Sequence, residues 1–82
     1  MTGIDPDVSK AIVRVLQECG KKPLGVRPLT TYANAELRVA ASADDIQRHV
    51  LDLEQRGYAE RRANTFNPAV IEWIITDAGM NL

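Results

Sequence analysis

The sequence predicts a small, mainly α-helical α+β domain in which three helices are followed by a C-terminal β-hairpin. Three segments carry apolar residues at helical spacing, and a later run, residues 70–75, is rich in β-branched and aromatic residues. Because 82 residues leave room for only one compact core, we expect a single domain over residues 1–82. Residues 1–4 should form a loose tail, and residues 77–82 either fray or begin another helix.

The composition is typical of a globular protein outside membranes. The chain is 45% hydrophobic and 26% charged, and no apolar run approaches the ~20 residues that cross a bilayer. The N-terminus lacks a signal-peptide pattern, so the expected location is the cytoplasm. Cys19 is the only cysteine, which excludes an internal disulfide and a multi-cysteine metal site, and its place on an apolar helical stripe favours a buried thiol.

The first helix is predicted over Pro6–Cys19. Asp5 is a suitable N-cap, Pro6 suits the first helical position, and Gly20 supplies a residue that commonly ends a helix. The residues expected on its inner face are Val8, Ile12, Val15, Leu16 and Cys19.

The second helix follows a loop at residues 20–28, where Val26 could touch a short edge strand. Thr30 or Thr31 is the expected cap of this helix. The residues expected to face inward are Ala33, Leu37 and Val39, and those expected nearer solvent are Tyr32, Asn34, Glu36 and Arg38.

The third helix has the clearest signals. Residues 42–45 come close to a capping box, with Ser42 as the cap and Asp45 in place of the usual Glu or Gln, and Gly57 ends the helix. A strand is expected from Tyr58 to Arg62, with Tyr58 inward, then a turn at residues 63–68 and a second strand at residues 70–75. The inward stripe of the helix is Ile46, Val50 and Leu53, and one face of the second strand is Ile71, Trp73 and Ile75.

Three helices followed by a hairpin, in that order, is the layout of a winged helix-turn-helix domain. Residues 42–58 resemble the recognition-helix segment of bacterial repressors of the ArsR and MarR types, with a polar cap, a branched apolar residue, a polar triplet and a Leu-Glu-x-x-Gly ending. Residues 73–79 are similar to the last wing strand and the threonine-to-glycine turn after it. Residues 34–41 depart from the family pattern, because they replace its short Leu-Ala-containing helix and glycine turn.

The resemblance implies a DNA-binding domain of a bacterial or phage transcriptional regulator. Helix 42–56 would enter the major groove, and the wing would contact the backbone of double-stranded DNA. The candidate nucleic-acid contacts are Gln47, Arg48 and Gln55 on the helix and Arg61, Arg62, Asn64 and Thr65 on the wing, with Lys21, Lys22 and Arg27 as further cations.

The charge balance of the chain argues against DNA binding. The formal net charge is −1, whereas proteins that hold nucleic acid tightly usually carry a basic excess. The third helix carries four carboxylates, which phosphates repel, against two arginines. The carboxylates are Asp44, Asp45, Asp52 and Glu54, and the arginines are Arg48 and Arg56.

Alternatively, the domain is a protein-interaction or assembly module that forms a homodimer or binds another protein. Its expected anchors are Leu51, on the outer face of the third helix, and Val70 and Ile74, if these two lie exposed together. An enzyme ranks last, because the capping role of Ser42 explains that residue and His49 lacks companion metal ligands. We therefore expect no catalytic residue, no metal and no cofactor.

Overall fold

The computed structural model describes residues 3–82, so Met1 and Thr2 of the expected loose tail lie outside the described residues. The three predicted helices and the C-terminal hairpin are confirmed, with a short strand and a short fourth helix in addition. The elements in chain order are α1 (Pro6–Cys19), β1 (Leu24–Gly25), α2 (Val26–Asn34), α3 (Ala43–Gln55), β2 (Ala59–Ala63), β3 (Ile71–Ile75) and α4 (Asp77–Met80).

Helix α1 has the predicted bounds and provides one wall of the core. The Asp5 carboxylate accepts a hydrogen bond from the Asp7 amide at 2.9 Å, and Gly20 ends the helix at a φ of 60°. Cys19 is half-buried and packs against the edge of the core. The residues of α1 that are buried are Val8, Ala11, Ile12, Val13, Val15 and Leu16.

Helix α2 begins earlier than predicted, at Val26, so the expectation of a threonine cap is wrong. Gly25 is the N-cap residue, and Pro28 lies in the first turn, where no intrahelical donor is lost. The two threonine hydroxyls instead donate back into the helix: Thr30 Oγ1 lies 2.6 Å from the Val26 carbonyl oxygen, and Thr31 bonds one turn back in the same way.

The segment between α2 and α3 is closed by Asn34, which was expected nearer solvent and is half-buried. Its side-chain amide donates to the Ala41 carbonyl at 2.9 Å, and its Oδ1 accepts from the Ala41 amide at 2.8 Å. This pair of bonds stands where the resembling families have a glycine turn. Val39, in the segment that these bonds close, is 81% exposed, so the inward placement predicted for it is wrong.

Helix α3 follows its predicted cap and stripe. Ser42 Oγ accepts from the Asp45 amide at 3.1 Å, and the side chains of Ile46, Val50 and Leu53 are buried. Gly57, at a φ of 85°, turns the chain from α3 into the sheet, a left-handed backbone conformation that favours glycine.

The sheet has three antiparallel strands in the order β1-β3-β2. The edge strand β1 pairs Leu24 with Trp73, and Val26, which was expected to touch such a strand, directly follows it as the first residue of α2. Trp73 is 2% exposed and belongs to the core. Ile74, on the opposite pleat face, is also buried at 8% exposure, so it forms no exposed patch with Val70, contrary to that expectation.

The C-terminal residues form α4 rather than a frayed end. Thr76 Oγ1 accepts from the Gly79 amide at 3.1 Å and donates to the Gly57 carbonyl oxygen at 2.6 Å. Gly79 lies so close to the sheet that a Cβ there would overlap the Tyr58 carbonyl oxygen. Within residues 3–82, no helix is both long and apolar enough to span a bilayer.

Candidate nucleic-acid interface

The outer face of α3 carries three of the predicted contacts. Since the apolar stripe holds the opposite face in the core, Gln47, Arg48 and Gln55 are all exposed. Leu51 lies between them and is half-buried, because it packs partly against the core. The result is an open polar surface with one apolar residue at its centre.

The N-terminal segment lies along one side of this surface and is held there by His49. The buried His49 ring accepts from the Asp5 amide at Nε2, at 2.8 Å, and Nδ1 lies 2.6 Å from the Asp45 carbonyl oxygen. Because the Asp5 amide can only donate, Nε2 must be the acceptor, and we assign the ring proton to Nδ1. His49 therefore has a positioning role that links α3 to the start of α1.

Arg48 is exposed, but its guanidinium group already forms hydrogen bonds with a carboxylate and a carbonyl group of the protein. Its Nη2 lies 2.7 Å from Asp45 Oδ1 and donates to the Gly3 carbonyl oxygen at 3.3 Å. The hydrogen bond from Arg48 lowers the pKa of Asp45 below its usual range, with the cap at Ser42 as a further cause. A base or phosphate contact by Arg48 would therefore compete with an existing ion pair.

Arg61 forms a bidentate ion pair with Glu54, which joins β2 of the wing to α3. Arg61 Nε lies 2.8 Å from Glu54 Oε2, and Nη2 lies 2.9 Å from Oε1. This hydrogen bonding lowers the pKa of Glu54 and raises the pKa of Arg61. Arg61 thus helps to hold the wing against α3.

Arg62 and Arg56 are paired as well. Arg62 contacts the Glu60 carboxylate at 3.0 Å, and Arg56 contacts Asp52 at 3.0 Å, one turn apart on the same helix. Over residues 42–75 the sequence has six carboxylates against four arginines. All four arginines of the candidate interface therefore have carboxylate partners within the domain.

The wing tip is organised by Asn64, one of the predicted contacts. Its Oδ1 accepts from the amides of Phe66, at 2.9 Å, and Asn67, at 3.0 Å, so this oxygen is used inside the loop. Thr65 is exposed beside it. Phe66, the single phenylalanine of the sequence, lies in this polar turn and is 96% exposed, although it is not among the predicted contacts.

Lys21, Lys22 and Arg27 are exposed in the segment that joins α1 to α2 and at the start of α2. Within the described part of the chain they take part in none of the salt bridges. Across residues 3–82, no group of three or more potential ligand side chains is arranged to hold a metal ion.

Comparison with known proteins identifies the fold. No family model matches the sequence, and no curated protein sequence matches it. A solved structure of a probable transcriptional regulator from Pseudomonas aeruginosa is similar, with a TM-score of 0.71 and 26% sequence identity. The match covers 95% of this chain and 52% of the regulator's chain. The structure of a mutant of ZitR from Lactococcus lactis is similar, with a TM-score of 0.65 and 10% sequence identity. The match covers 87% of this chain and 44% of the ZitR chain.

The chain thus spans about half the length of the solved structures to which it is similar. The four helices and the three-stranded antiparallel sheet of residues 3–82 match the architecture of these neighbours. The ArsR and MarR subtypes are not distinguished by this similarity, which leaves them as resemblances of residues 42–58. The chain is a winged helix-turn-helix domain, similar in fold to part of a probable transcriptional regulator.

Proposed function

We propose that this domain binds double-stranded DNA as the winged-helix part of a transcriptional regulator. The observation that carries the proposal is the similarity, over 95% of the chain, to a probable transcriptional regulator. The outer face of α3 supports it, because Gln47, Arg48 and Gln55 are exposed on a helix that the core holds from its other side. Glutamine and arginine are suited to read the edges of adenine and guanine in the major groove.

In this proposal the wing contacts the sugar-phosphate backbone through Arg62 and Thr65. Arg62 is the better cation for this role, because its partner Glu60 lies on the same exposed strand and the pair is open to solvent on both sides. Arg61 instead has a structural role, since its bidentate contact with Glu54 holds the wing on α3. Asn64 likewise shapes the loop through Oδ1, and its side-chain nitrogen Nδ2 remains available for a contact with the DNA backbone.

The ion pairs determine the expected strength of binding. An arginine that moves to a phosphate leaves its carboxylate behind, close to a second negative charge. We therefore expect weak binding to nonspecific duplex DNA, with a shallow salt dependence. Specific binding would depend on hydrogen bonds from the two exposed glutamines more than on charge.

The test is a titration of the protein with mixed-sequence duplex DNA, followed residue by residue by NMR at low and high salt. We expect chemical-shift changes that cluster at Gln47, Arg48, Gln55 and Arg62 and that decrease as salt rises. No shift changes at low salt would overturn the proposal.

A pair of variants makes this test specific. Arg62→Ala should weaken binding and reduce the salt slope by about one, as expected for a lost phosphate contact. Arg14→Ala is the matched control, because Arg14 is also an exposed, ion-paired arginine but lies on α1 and contacts Glu36. Equal losses from both variants would mean that only total charge matters, which contradicts a contact at the wing.

A protein-interaction function is the second candidate, and the charge balance of residues 42–75 favours it. Six carboxylates against four paired arginines form a poor surface for phosphates and an acceptable one for a protein. Val70, at 42% exposure, remains available as an anchor, whereas Ile74 is buried and Leu51 is half-buried. Light scattering over a concentration series tests self-association, and a monomer throughout would contradict a homodimer.

A further inference from the structure

The wing tip presents an aromatic side chain that has no part in the core. Phe66 is 96% exposed and is the only phenylalanine of the chain. Single apolar residues are common on protein surfaces. A phenyl ring that is almost fully exposed at the end of a hairpin, however, leaves a large apolar area in contact with water.

The backbone that carries Phe66 is ordered by hydrogen bonds that do not involve its ring. Asn64 Oδ1 accepts from the Phe66 amide, and the Asn64 amide donates to the Val70 carbonyl oxygen at 2.9 Å, which closes the loop. The Asn67 side chain accepts from the Ala69 amide at 3.2 Å. These bonds order the loop backbone without using the ring, so the loop does not need a phenylalanine for its own shape.

The tip also differs in charge from the rest of the candidate interface. Residues 63–70 contain no charged side chain, whereas α3 and the strands carry all the carboxylates of residues 42–75. A polyanion can therefore approach the tip without meeting a carboxylate close by. Asn64, Thr65 and Asn67 flank Phe66 along the chain, and the Thr65 hydroxyl and the side-chain amide nitrogens of the two asparagines can hydrogen-bond in a groove.

We propose that Phe66 is an apolar wedge that enters the minor groove of bound duplex DNA and stacks against a base step. This inference rests on the proposed DNA-binding function. Apolar side chains that enter the minor groove partly unstack a base step and bend the duplex, and aromatic rings stack on bases of any sequence. Such a contact adds affinity that does not depend on salt, on a surface whose arginines are already paired.

The experiment measures binding of the 82-residue protein to mixed-sequence duplexes that carry the fluorescent base 2-aminopurine at successive positions. Phe66→Ala should weaken binding by roughly 5- to 150-fold, the equivalent of one lost stacking contact, and leave the salt slope unchanged. Wild type should raise the fluorescence at one or two adjacent positions, which reports unstacking, and Phe66→Ala should not.

Two further variants serve as controls. Phe66→Trp should retain binding and unstacking, because an indole ring also stacks on bases. Val39→Ala removes another exposed apolar side chain, 81% exposed in the segment between α2 and α3, and should leave binding unchanged. The thermal unfolding of Phe66→Ala should match that of wild type, since the ring packs against no core residue.

The possible outcomes distinguish a failure of the Phe66 wedge from a failure of the proposed DNA-binding function. If wild type binds the duplexes and Phe66→Ala binds equally well, the wedge is wrong and the DNA-binding function stands. If wild type binds no duplex at low salt, both are overturned. If Phe66→Ala abolishes self-association of the free protein and leaves unstacking intact, Phe66 is a protein contact and the wedge is again wrong.

Discussion

Arg61 of the wing and Glu54 of the third helix form a bidentate ion pair, with N–O distances of 2.8 and 2.9 Å. The two residues are seven positions apart in the sequence and lie on different elements, on either side of the turn at Gly57. In a winged-helix protein the angle between helix and wing decides which DNA surfaces both can reach together. Arg61, a predicted DNA contact, therefore also holds the wing against α3.

The first prediction concerns the pH dependence of stability. Arg61 lowers the pKa of Glu54 in the folded state, so the pair stabilises the fold above the usual glutamate pKa of about 4.3 and ceases to do so as the pH falls through the lower, folded value. Arg61→Met should therefore destabilise the protein at neutral pH and reduce the loss of stability on acidification. Urea unfolding followed by circular dichroism at neutral and acidic pH measures both effects.

The control for that prediction is Arg14→Met. Arg14 contacts Glu36 through one longer interaction of 3.4 Å, in place of the two short hydrogen bonds that join Arg61 to Glu54. Its unfolding should therefore keep the acid dependence of wild type. An identical change of slope in both variants would show that loss of a positive charge, and not the Glu54 contact, is responsible.

The second prediction concerns Glu60 and DNA. Glu60→Gln removes the carboxylate that pairs with Arg62, and Arg62 then gains access to a phosphate. Affinity for duplex DNA should rise and the salt slope should steepen by about one. The control is Glu18→Gln, which makes the same charge change on α1, and fluorescence anisotropy over a salt series compares the two. A steeper slope in both variants would contradict a specific effect of Arg62.

The third prediction concerns His49. His49→Leu leaves the Asp5 amide and the Asp45 carbonyl without their side-chain partner at a site where the ring is only 1% exposed. We expect a loss of about 1–3 kcal/mol in the free energy of unfolding, the usual consequence of an unpaired buried polar group. Urea denaturation gives this value, and hydrogen exchange at the start of α1 should become faster. A loss below about 0.5 kcal/mol would contradict the positioning role of His49.

The fourth prediction concerns the packing of α4 on the sheet. Gly79→Ala places a Cβ against the Tyr58 carbonyl oxygen and 2.6 Å from Ile75 Cδ1, so the short helix must shift. We expect a destabilisation of about 1–3 kcal/mol, although alanine is the better helix former. Gly25→Ala is the control, because its Cβ would meet its nearest neighbours at 3.9 Å. Equal thermal stability of Gly79→Ala and wild type would show that α4 is loosely attached.

Much of the fold was predictable because it depends on neighbours along the chain. The Asp5 cap, the Ser42 cap and the closing Gly57 act within a few residues of themselves, and the stripe through Ile46, Val50 and Leu53 follows from helical periodicity alone. The start of α2 was missed because Pro28 and the two threonines gave misleading local signals. In the structure, the threonines bond back into the helix that they were expected to begin.

The candidate site was less predictable. The sequence shows that Gln47, Arg48 and Gln55 share a helix face, and the structure places all three in solvent. The sequence does not show that Arg48, Arg61 and Arg62 each have a carboxylate partner, as they do in the structure. Nor does a period-two pattern tell which face of β3 is covered, which is why Ile74 was expected on the surface and is buried.

The sequence by itself determined the order of the elements, their caps and the inner faces of α1 and α3. These features arise from interactions over a few residues, which local patterns record. Only the tertiary structure decided the pairing of Arg61 with Glu54, the anchoring of Asp5 by His49 and the exposure of Phe66. Each of these depends on which distant elements meet, and that is set by the packing of the whole core.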